Sequence, residues 1–459
     1  MSDEPRTPEQ RIEYGRSLRE KVLLESHAGW TPGPKRIDPV TLIEQQNEDR
    51  IDWLVPVRRA RMKVSPFTFY RGSAGIMAAD LAHTPASGLT SQICGDAHLA
   101  NFGSFASPER RLVFDLNDFD ETLPGPWEWD VKRLAASFIL AGRHNGLSTK
   151  KSRKVTKIAV RSYREAMAKH AAMGVTDVWY SMVEADKLRE FSKSAQTRKE
   201  VSKGIKKAMR KDSRQALEKL AEEVDGAYRI RSQPPLLVPL RDLPHKHDPD
   251  KVHELVVTSL KQYFASVPDH IEHLLYKYKA VDYAVKVVGV GSVGTRCFII
   301  LLQGRDRQDP LFLQIKQANK SVLEEHLPAS RYKNSAQRVV EGQRLMQTVS
   351  DIFLGFMAGE ISGHHYYLRQ LKDWKGSVDV DNASYDNLKQ WANNRGYTLA
   401  RAHARSGDPI AIAAYLGTEE TFDDAVVEFA EQYADQAEAD HAEFTAQIES
   451  GKLEAAEYQ

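Results

Sequence analysis

Two short segments in the first third of the chain concentrate acidic and amide side chains within turn-rich, otherwise apolar sequence. In the first, Asp96 precedes Asn101 by five positions, and the second contains Asp118 and Asp120. Phosphoryl transfer requires a carboxylate that orients and deprotonates the acceptor hydroxyl, together with oxygen ligands that hold Mg²⁺ against the phosphates. Because this clustering does not resemble a solvated charge run, we predict that these residues form a catalytic and metal site.

A glycine-rich segment much later in the chain is suited to contact phosphates. Gly289, Gly291 and Gly294 form the pattern G-x-G-x-x-G, with Ser292 inside it and a strand-like run on each side. A dinucleotide-binding loop would lead into a helix, and a P-loop would continue with Gly-Lys-Ser/Thr, so neither fits. A strand–glycine–strand hairpin is typical of a flap that covers nucleotide phosphates with its backbone N–H groups. Taken alone, the segment is equally compatible with a tight hairpin whose glycines only supply positive φ.

A lysine in the next predicted strand and a glutamate in the following helix extend this group. Lys316 could reach the α- and β-phosphates beneath the flap, and Glu341, in the predicted helix from Ala336 to Val349, could fix its position. Glu324 and Glu325 are nearer in sequence but lie in a less regular stretch. A solvated strand lysine is the simple alternative, so the pair gains weight only from its neighbours.

The acid-bearing segments resemble motifs of aminoglycoside and choline kinases. Residues 94–101 are similar to their H-G-D-x-H-x-x-N catalytic loop, although Cys94 replaces the first histidine. Residues 117–120 are similar to their I-D-F/W-x-D metal loop, and residues 129–134 to the D-L-A-x-L helix start that follows. The resemblance implies an ATP- and Mg²⁺-dependent transfer of the γ-phosphoryl group to a hydroxyl of an unidentified acceptor.

The same resemblance implies a role for each residue. Asp96 would be the catalytic base, with Asn101 and Asp118 beside it in the catalytic group. The implied Mg²⁺ ligands are Asn101, Asp118 and Asp120. The residues implied to hold ATP come from the flap, the strand and the helix, and are Gly289, Gly291, Ser292, Gly294, Lys316 and Glu341.

The order of these parts differs from that of the kinases. There the flap, lysine and helix glutamate precede the catalytic loop, whereas here they follow it by nearly 200 residues. Residues 396–404 resemble the L-A-x-L-H-x helix that normally runs just before the catalytic loop. This order implies a circular permutation, which is accessible when the original termini of a fold are close. Over nearly its full length the chain also resembles a bacterial domain-of-unknown-function family, number 2252, whose name brings no activity.

We predict that the helices and strands that position these residues form an α+β protein. Its predicted fold is bilobal and protein-kinase-like, in circularly permuted order. A small antiparallel β lobe would face a large helical lobe. Strands are predicted at 283–288, 297–302, 311–316 and 366–370, and residues 150–275 are predicted to be almost entirely helical apart from a Pro-rich connection. The predicted segments are a helical lead-in (1–66), the catalytic and metal loops (67–150), the helical part of the large lobe (151–280), the small nucleotide-binding β lobe (281–380) and C-terminal helices completing the large lobe (381–459).

Composition constrains the class of protein. In 459 residues, Lys+Arg 64 against Asp+Glu 63 leaves a net charge of +1, which argues against a wholesale polyanion-binding surface. The basic stretch 187–219 lacks interleaved aromatics, so we interpret it as a solvated helical face and expect no nucleic-acid partner. Two distant cysteines, a polar N-terminus and the lack of a long apolar run predict a soluble cytoplasmic protein without a membrane partner.

Three alternatives stay open. Asp96-Ala97-His98 could open a two-metal phosphoesterase site with Gly363-His364-His365 closing it, although the other motifs of that class are missing. A kinase-shaped protein could bind nucleotide without turnover, although the lysine, catalytic Asp and metal Asp that such proteins usually lose are all present. The same loops could also hold ATP in reverse and transfer AMP.

Overall fold

The computed structural model describes residues 7–185, 188, 195–242, 258, 260–287, 289–358, 363–371 and 373–457. Over these residues the protein is mixed α and β, with one large antiparallel sheet, three small two-stranded sheets and a helical body. None of the helices in these ranges combines the length and apolarity needed to cross a membrane.

Five helices open the described chain, and prolines and capping side chains delimit most of them. Thr7 and Gln10 form a capping box at the start of α1, and Ser65 with Thr68 forms another at the start of α4. Pro occupies the first turn in most of these helices, where its missing N–H costs nothing. The helices are α1 (Pro8–Lys21), α2 (Pro39–Gln45), α3 (Val55–Lys63), α4 (Pro66–Arg71) and α5 (Ala74–Leu81).

Two nested antiparallel pairs bring the acid-bearing segments to the same place. The outer pair is β1 (Thr90–Ile93) with β4 (Leu123–Pro126), and the inner pair is β2 (Phe102–Ala106) with β3 (Leu112–Leu116). Residues 94–101 connect β1 to β2, and residues 117–122 connect β3 to β4. The two loops therefore leave adjacent strand ends and lie side by side.

The helical body combines residues from the middle of the chain with those from its end. The last helix presents an apolar stripe to this body, since Phe422, Val426, Phe429 and Tyr433 recur at helical spacing and are all buried in the main core. The helices of this part are α6 (Trp127–His144), α7 (Thr149–Ala171), α8 (Val175–Tyr180), α9 (Ala195–Met209), α10 (Ser213–Leu220), α13 (Tyr385–Ser406), α14 (Pro409–Leu416) and α15 (Thr421–Glu449).

The large sheet has six strands, all paired antiparallel. In spatial order they are β11 (Gly355–Ala358), β12 (His365–Gln370), β10 (Pro310–Ala318), β9 (Cys297–Gln303), β8 (Lys279–Lys286) and β7 (Leu237–Pro239). The four strands expected from sequence are confirmed within a few residues, although Val288 lies outside the described ranges. Two helices belong to this part of the chain, α11 (Asp269–Leu275) and α12 (Ser335–Met346), and α12 ends three residues before the predicted Val349.

The prediction that residues 150–275 are almost entirely helical was wrong. β5 (Ala221–Val224) and β6 (Ala227–Ile230) form a hairpin, and β7 joins the edge of the large sheet. The hairpin turns at Asp225-Gly226, where both residues have positive φ. Asp-Gly is a strong signal for this type of turn, and it outweighs the helical propensity of the glutamates beside it. Residues 243–257 and 259 lie outside the described ranges.

Candidate active site

A cleft of about 1600 Å³ lies between the large sheet and the two acid-bearing loops. Lys316 of β10 donates hydrogen bonds across it to Asp118 Oδ1 at 3.1 Å and Asp120 Oδ2 at 2.8 Å. The segments that carry these groups are almost 200 positions apart in sequence. The two segments therefore meet across one cleft. The predicted residues that line it are Asp96, Asn101, Asp118, Asp120, Gly289, Gly291, Ser292 and Lys316.

The conformation of the loop before Asp96 is fixed by backbone contacts. Gly95 has φ +77°, and a Cβ at this position would lie 2.8 Å from the carbonyl oxygen of Glu121. Only glycine fits there. The N–H groups of Cys94 and Gly95 donate to the carboxylate of Asp130 at 2.6 and 2.9 Å. The first turn of α6 therefore holds the loop in place.

Asp96 points into the cleft with one strong cationic partner. Its Oδ1 lies 2.7 Å from Nη2 of Arg133, and its Oδ2 lies 3.7 Å from Nε2 of His98. Burial raises the pKa of Asp96, Arg133 opposes this effect, and the result is a pKa of about 7. A carboxylate with this pKa exchanges protons readily at neutral pH, as a general base must.

His98 organises the loop and stays neutral. Its Nδ1 accepts a hydrogen bond from the N–H of Ala100 at 3.2 Å and caps the short turn Leu99–Asn101. Burial, with Arg71 and Arg133 nearby, lowers the pKa of His98 well below its usual value. With Nδ1 accepting, the ring proton lies on Nε2, on the side of Asp96.

Asn101 ties the two acid-bearing loops together. Its Nδ2 donates to the carbonyl oxygens of Asp96 at 2.9 Å and Asp118 at 3.0 Å. Cys94, in the position of the kinase histidine, does the same, because its Sγ donates to the Asp118 carbonyl at 3.2 Å. The recorded hydrogen bonds of the Asn101 side chain all use Nδ2, so Oδ1 is the atom suited to a metal.

Asp118 is ionised throughout the physiological pH range. Burial would raise the pKa of Asp118, but Lys316 and Arg369 outweigh it and lower the pKa to about 2. Lys316 itself is only 2% exposed, and although burial disfavours its charge, the two carboxylates raise its pKa well above the usual value. The lysine is therefore a fixed cation at the centre of the site.

Asp120 has more partners than a free metal ligand would have. Besides Lys316, the hydroxyl of Tyr367 donates to its Oδ1 at 2.6 Å and the hydroxyl of Ser292 donates to its Oδ2 at 3.3 Å. Both oxygens are thus engaged by neighbouring side chains.

The donor set nevertheless suits Mg²⁺. No group of three His, Cys, Asp or Glu residues in the described ranges is arranged as a metal site by itself. Asp118, Asn101 Oδ1 and, in part, Asp120 offer carboxylate and amide oxygens, and Mg²⁺ usually takes only one or two carboxylates and completes its shell with water and phosphate.

The predicted pairing of Glu341 with Lys316 was wrong. Glu341 is about one-third exposed and pairs with Arg344 at 3.0 Å on its own helix. The face of α12 directed at residues 117–122 instead carries Arg338, which donates to the carbonyl oxygens of Thr122 and Asp120 at 2.7 Å. Lys316 already has two carboxylates, which removes the need for a helix glutamate.

The glycine segment forms the predicted hairpin between β8 and β9, with positive φ at Gly289 and Gly294. The N-terminal helices hold it from outside. Arg61 donates to the Gly289 carbonyl at 2.5 Å, and the N–H of Ile51 donates to the Gly294 carbonyl at 2.8 Å. Gly289, Gly291 and Ser292 line the cleft, whereas Gly294 packs beside Arg50.

Several residues of the site were not predicted. Asp130 belongs to the motif at residues 129–134, but the motif did not reveal that its carboxylate holds residues 94 and 95 and lies 3.2 Å from Nε2 of His403 on α13. This contact places residues 396–404 close to the loop of Asp96. Arg133 lies three residues after Asp130 on α6. It stands at the variable position of the D-L-A-x-L motif, so the motif did not indicate its role. Tyr367 lies directly opposite Lys316 in the β10–β12 pair. Because successive side chains of a strand point to opposite faces of the sheet, the alternation along β12 could have indicated that Tyr367 lies on the same face as Lys316.

The histidines proposed for the phosphoesterase alternative have other partners. Nδ1 of His365 accepts the N–H of Ser335 at 3.1 Å, at the start of α12. His364 lies 4.0 Å from Asp49, on the side of the N-terminal helices.

Comparison with known proteins gave one match. A family model described as "Uncharacterized protein conserved in bacteria (DUF2252)" matches residues 50–447. No curated protein and no solved structure matches the chain.

Proposed function

The chain belongs to this uncharacterised bacterial family, and because its description assigns no activity, we propose a function from the cleft itself. The protein transfers the γ-phosphoryl group of ATP, with Mg²⁺, to a hydroxyl of an acceptor that is not yet identified. One observation carries the proposal: Lys316 contacts Asp118 and Asp120 across the cleft, next to a glycine hairpin and in the same cavity as Asp96. Kinases use the same combination of groups.

The proposed fold is kinase-like and circularly permuted. It is supported by the order β8, glycine hairpin, β9, Lys316 on β10, α12, β11 and β12, followed by α13. His403 of α13 then meets Asp130, which holds the catalytic loop from the other end of the chain. The proposed β lobe spans 281–380, with the strand at 237–239 added to its edge, and the remaining segments form the larger lobe.

In the proposed reaction Asp96 accepts the proton of the acceptor hydroxyl as that oxygen attacks the γ-phosphorus. The bond from the γ-phosphorus to the β,γ-bridging oxygen breaks, and ADP leaves. Arg133 fixes the carboxylate through its guanidinium group and is a positioning residue. Lys316 and the N–H groups of the glycine hairpin neutralise and orient the phosphates. When bound at Asp118 and Asn101, Mg²⁺ supplies further charge neutralisation of the phosphate oxygens. Positioning and preorganised charge provide the rate enhancement.

Transfer of AMP is the second candidate, and one feature of the cleft favours it. Lys211, Lys219, Arg369 and Lys375 also line the cavity. Lys211 lies just before α10 and Lys219 near its end, whereas Arg369 lies on β12 and Lys375 follows it. These cations are suited to a triphosphate bound in the reverse direction.

Consumption of ATP by the purified full chain tests the proposal. Asp96→Ala and Asp118→Ala should each abolish turnover while the thermal unfolding midpoint stays close to that of the parent. The surface change Asp435→Ala serves as a control, since Asp435 only pairs with Arg143. Unchanged ATP consumption in both variants would remove the assignment. Parallel reactions with label on the α- or γ-phosphate identify the group that is transferred.

A further inference from the structure

Three arginines line the cleft on the side of the N-terminal helices, and we refer to Arg50, Arg58 and Arg71 as the arginine wall. Each has a different set of contacts. Arg50 donates to the carbonyl oxygens of Val293 at 2.5 Å and Gln46 at 3.1 Å. Arg58 donates to Asn47 Oδ1 and to the Gly72 carbonyl. Within the described part of the chain, none of the three forms an ion pair with a carboxylate.

Burial of these positively charged side chains without a contacting anion is unfavourable in free energy. Arg58 is 1% exposed and its partners are neutral oxygens. The Nε atoms of Arg58 and Arg71 are buried and have no hydrogen-bond partner. A buried cation without a contacting anion is unfavourable, and unsatisfied buried donors are rare in folded proteins. An anionic ligand would supply both the charge and the acceptors.

Arg71 has the best position to contact such a ligand. It is the last residue of α4, and the carbonyls on both sides are fixed, Tyr70 by Arg133 at 2.7 Å and Gly72 by Arg58 at 3.1 Å. The glycine hairpin lies on it, since a Cβ at Gly291 would be 3.2 Å from the Arg71 carbonyl oxygen. The backbone of Arg71 is thus fixed beside the flap, and Arg71 lines the cleft together with Asp96.

The carboxylates near Arg71 pair with other side chains and do not neutralise its charge by direct contact. Asp96 and Asp381 both favour its charged form, while burial and Arg61 disfavour it, and the net effect lowers the pKa of Arg71 below its usual value. Asp96 is already bound to Arg133, and Asp381 pairs with His144 at 3.1 Å. Neither carboxylate forms an ion pair with Arg71.

We propose that Arg71, backed by Arg58 and Arg50, binds a phosphate group on the acceptor side of the cleft, next to Asp96. The assignment of this side to the acceptor rests on the proposed function. The planar guanidinium group, with an unused Nε–H, matches phosphate oxygens in a bidentate manner. The phosphate belongs either to the acceptor molecule or to the γ-position of ATP, and the chemistry of recognition is the same.

Calorimetric titration of the full chain distinguishes these sources. The variants are Arg71→Gln, Arg71→Lys and the surface control Arg153→Gln, whose parent side chain pairs with Glu431. The probes are a non-hydrolysable ATP analogue with Mg²⁺, ADP with Mg²⁺, and inorganic phosphate added to the free protein and to the analogue complex. Since no hydrogen bond in the described residues depends on the Arg71 side chain, the unfolding midpoint of both Arg71 variants should match that of the control.

An acceptor-borne phosphate predicts that inorganic phosphate binds to the analogue complex and that Arg71→Gln weakens this binding at least tenfold, with Arg71→Lys intermediate. A γ-phosphate contact predicts instead that Arg71→Gln weakens the analogue at least tenfold and leaves ADP unchanged. If the parent binds phosphate through Arg71 but binds no nucleotide, the anion site stands and the proposed kinase function fails. Equal binding of every probe by the parent and Arg71→Gln would overturn the site.

Discussion

The two acid-bearing loops that line the cleft carry carboxylates whose pKa values are shifted in opposite directions. In the loop of residues 94–101, burial is the largest effect and raises the pKa of Asp96 to about 7. In the loop of residues 117–122, burial also favours a higher pKa for Asp118, but Lys316 and Arg369 together outweigh it and lower the pKa to about 2. One cleft thus holds a carboxylate that can exchange protons at neutral pH and another that stays charged. Such separation of pKa values is how active sites assign different tasks to identical groups.

The pKa shifts of Asp96 and Asp118 differ because the cations beside them belong to different parts of the fold. Arg133, the partner of Asp96, lies on α6, directly after the β1–β4 pair that frames the loops. The cations beside Asp118 come from β10 and β12 of the large sheet. The state of Asp96 is therefore built into the loop region, whereas that of Asp118 depends on the sheet lying across the cleft.

Removal of the sheet's central cation should have the largest effect. Lys316→Met leaves Asp118 and Asp120 without their shared cation and removes a contact to the phosphates. We expect ATP consumption to fall by about 10²- to 10³-fold, the scale of losing a preorganised charge in an active site. Steady-state kinetics measure this loss, and Lys389→Met, which removes a surface lysine paired with Asp386, is the control. Parent-like kinetics in Lys316→Met would mean that the ion triad has only a structural role.

The pH profile tests the other side of the comparison. A base with a pKa of about 7 loses its function as it is protonated, so the rate should fall as pH decreases through 7 and at pH 5 should be about 100-fold below its plateau at high pH. Asp118 should contribute no further loss above pH 4, because its pKa is about 2. The decline should be missing from the residual activity of Asp96→Asn. A flat profile from pH 5 to 8 in the parent would contradict the role of Asp96.

The site was predictable from sequence where chemistry and spacing coincide. Asp96, Asn101 and Asp118 stand in short motifs, and β-branched runs predicted the strands that carry the hairpin and Lys316. Contacts between side chains remote in sequence were not predictable in the same way. The partner of Lys316 was expected on a helix, by resemblance, yet the lysine is satisfied by two carboxylates of a loop, one of which is also held by Tyr367. No local pattern distinguishes these outcomes.

The corrected pairing gives the third prediction. Asp120→Asn should weaken the hold on Lys316 and lower ATP consumption by about tenfold, since a charged hydrogen bond becomes a neutral one. Glu341→Gln, its matched control, should leave the rate unchanged because Glu341 pairs with Arg344 on its own helix rather than with Lys316. The kinetics of the two variants, measured side by side, decide between the partners. A larger loss in Glu341→Gln than in Asp120→Asn would restore the helix glutamate as the partner.

The smallest effect is expected one contact further from the lysine. Tyr367→Phe removes the hydroxyl that donates to Asp120 at 2.6 Å and leaves the ring in the core. The loss of one hydrogen bond to a charged group should cost about 1.5 to 3 kcal/mol in the free energy of unfolding, measured by denaturant titration. If Asp120 positions Lys316, the rate should also fall by about three- to tenfold. The Asp120 carboxylate would still pair with Lys316, but Tyr367 would no longer fix the orientation of that carboxylate. A stability loss with an unchanged rate would show that the orientation of Asp120 has no bearing on catalysis, and would leave Lys316 and Asp118 as the pair on which the site depends.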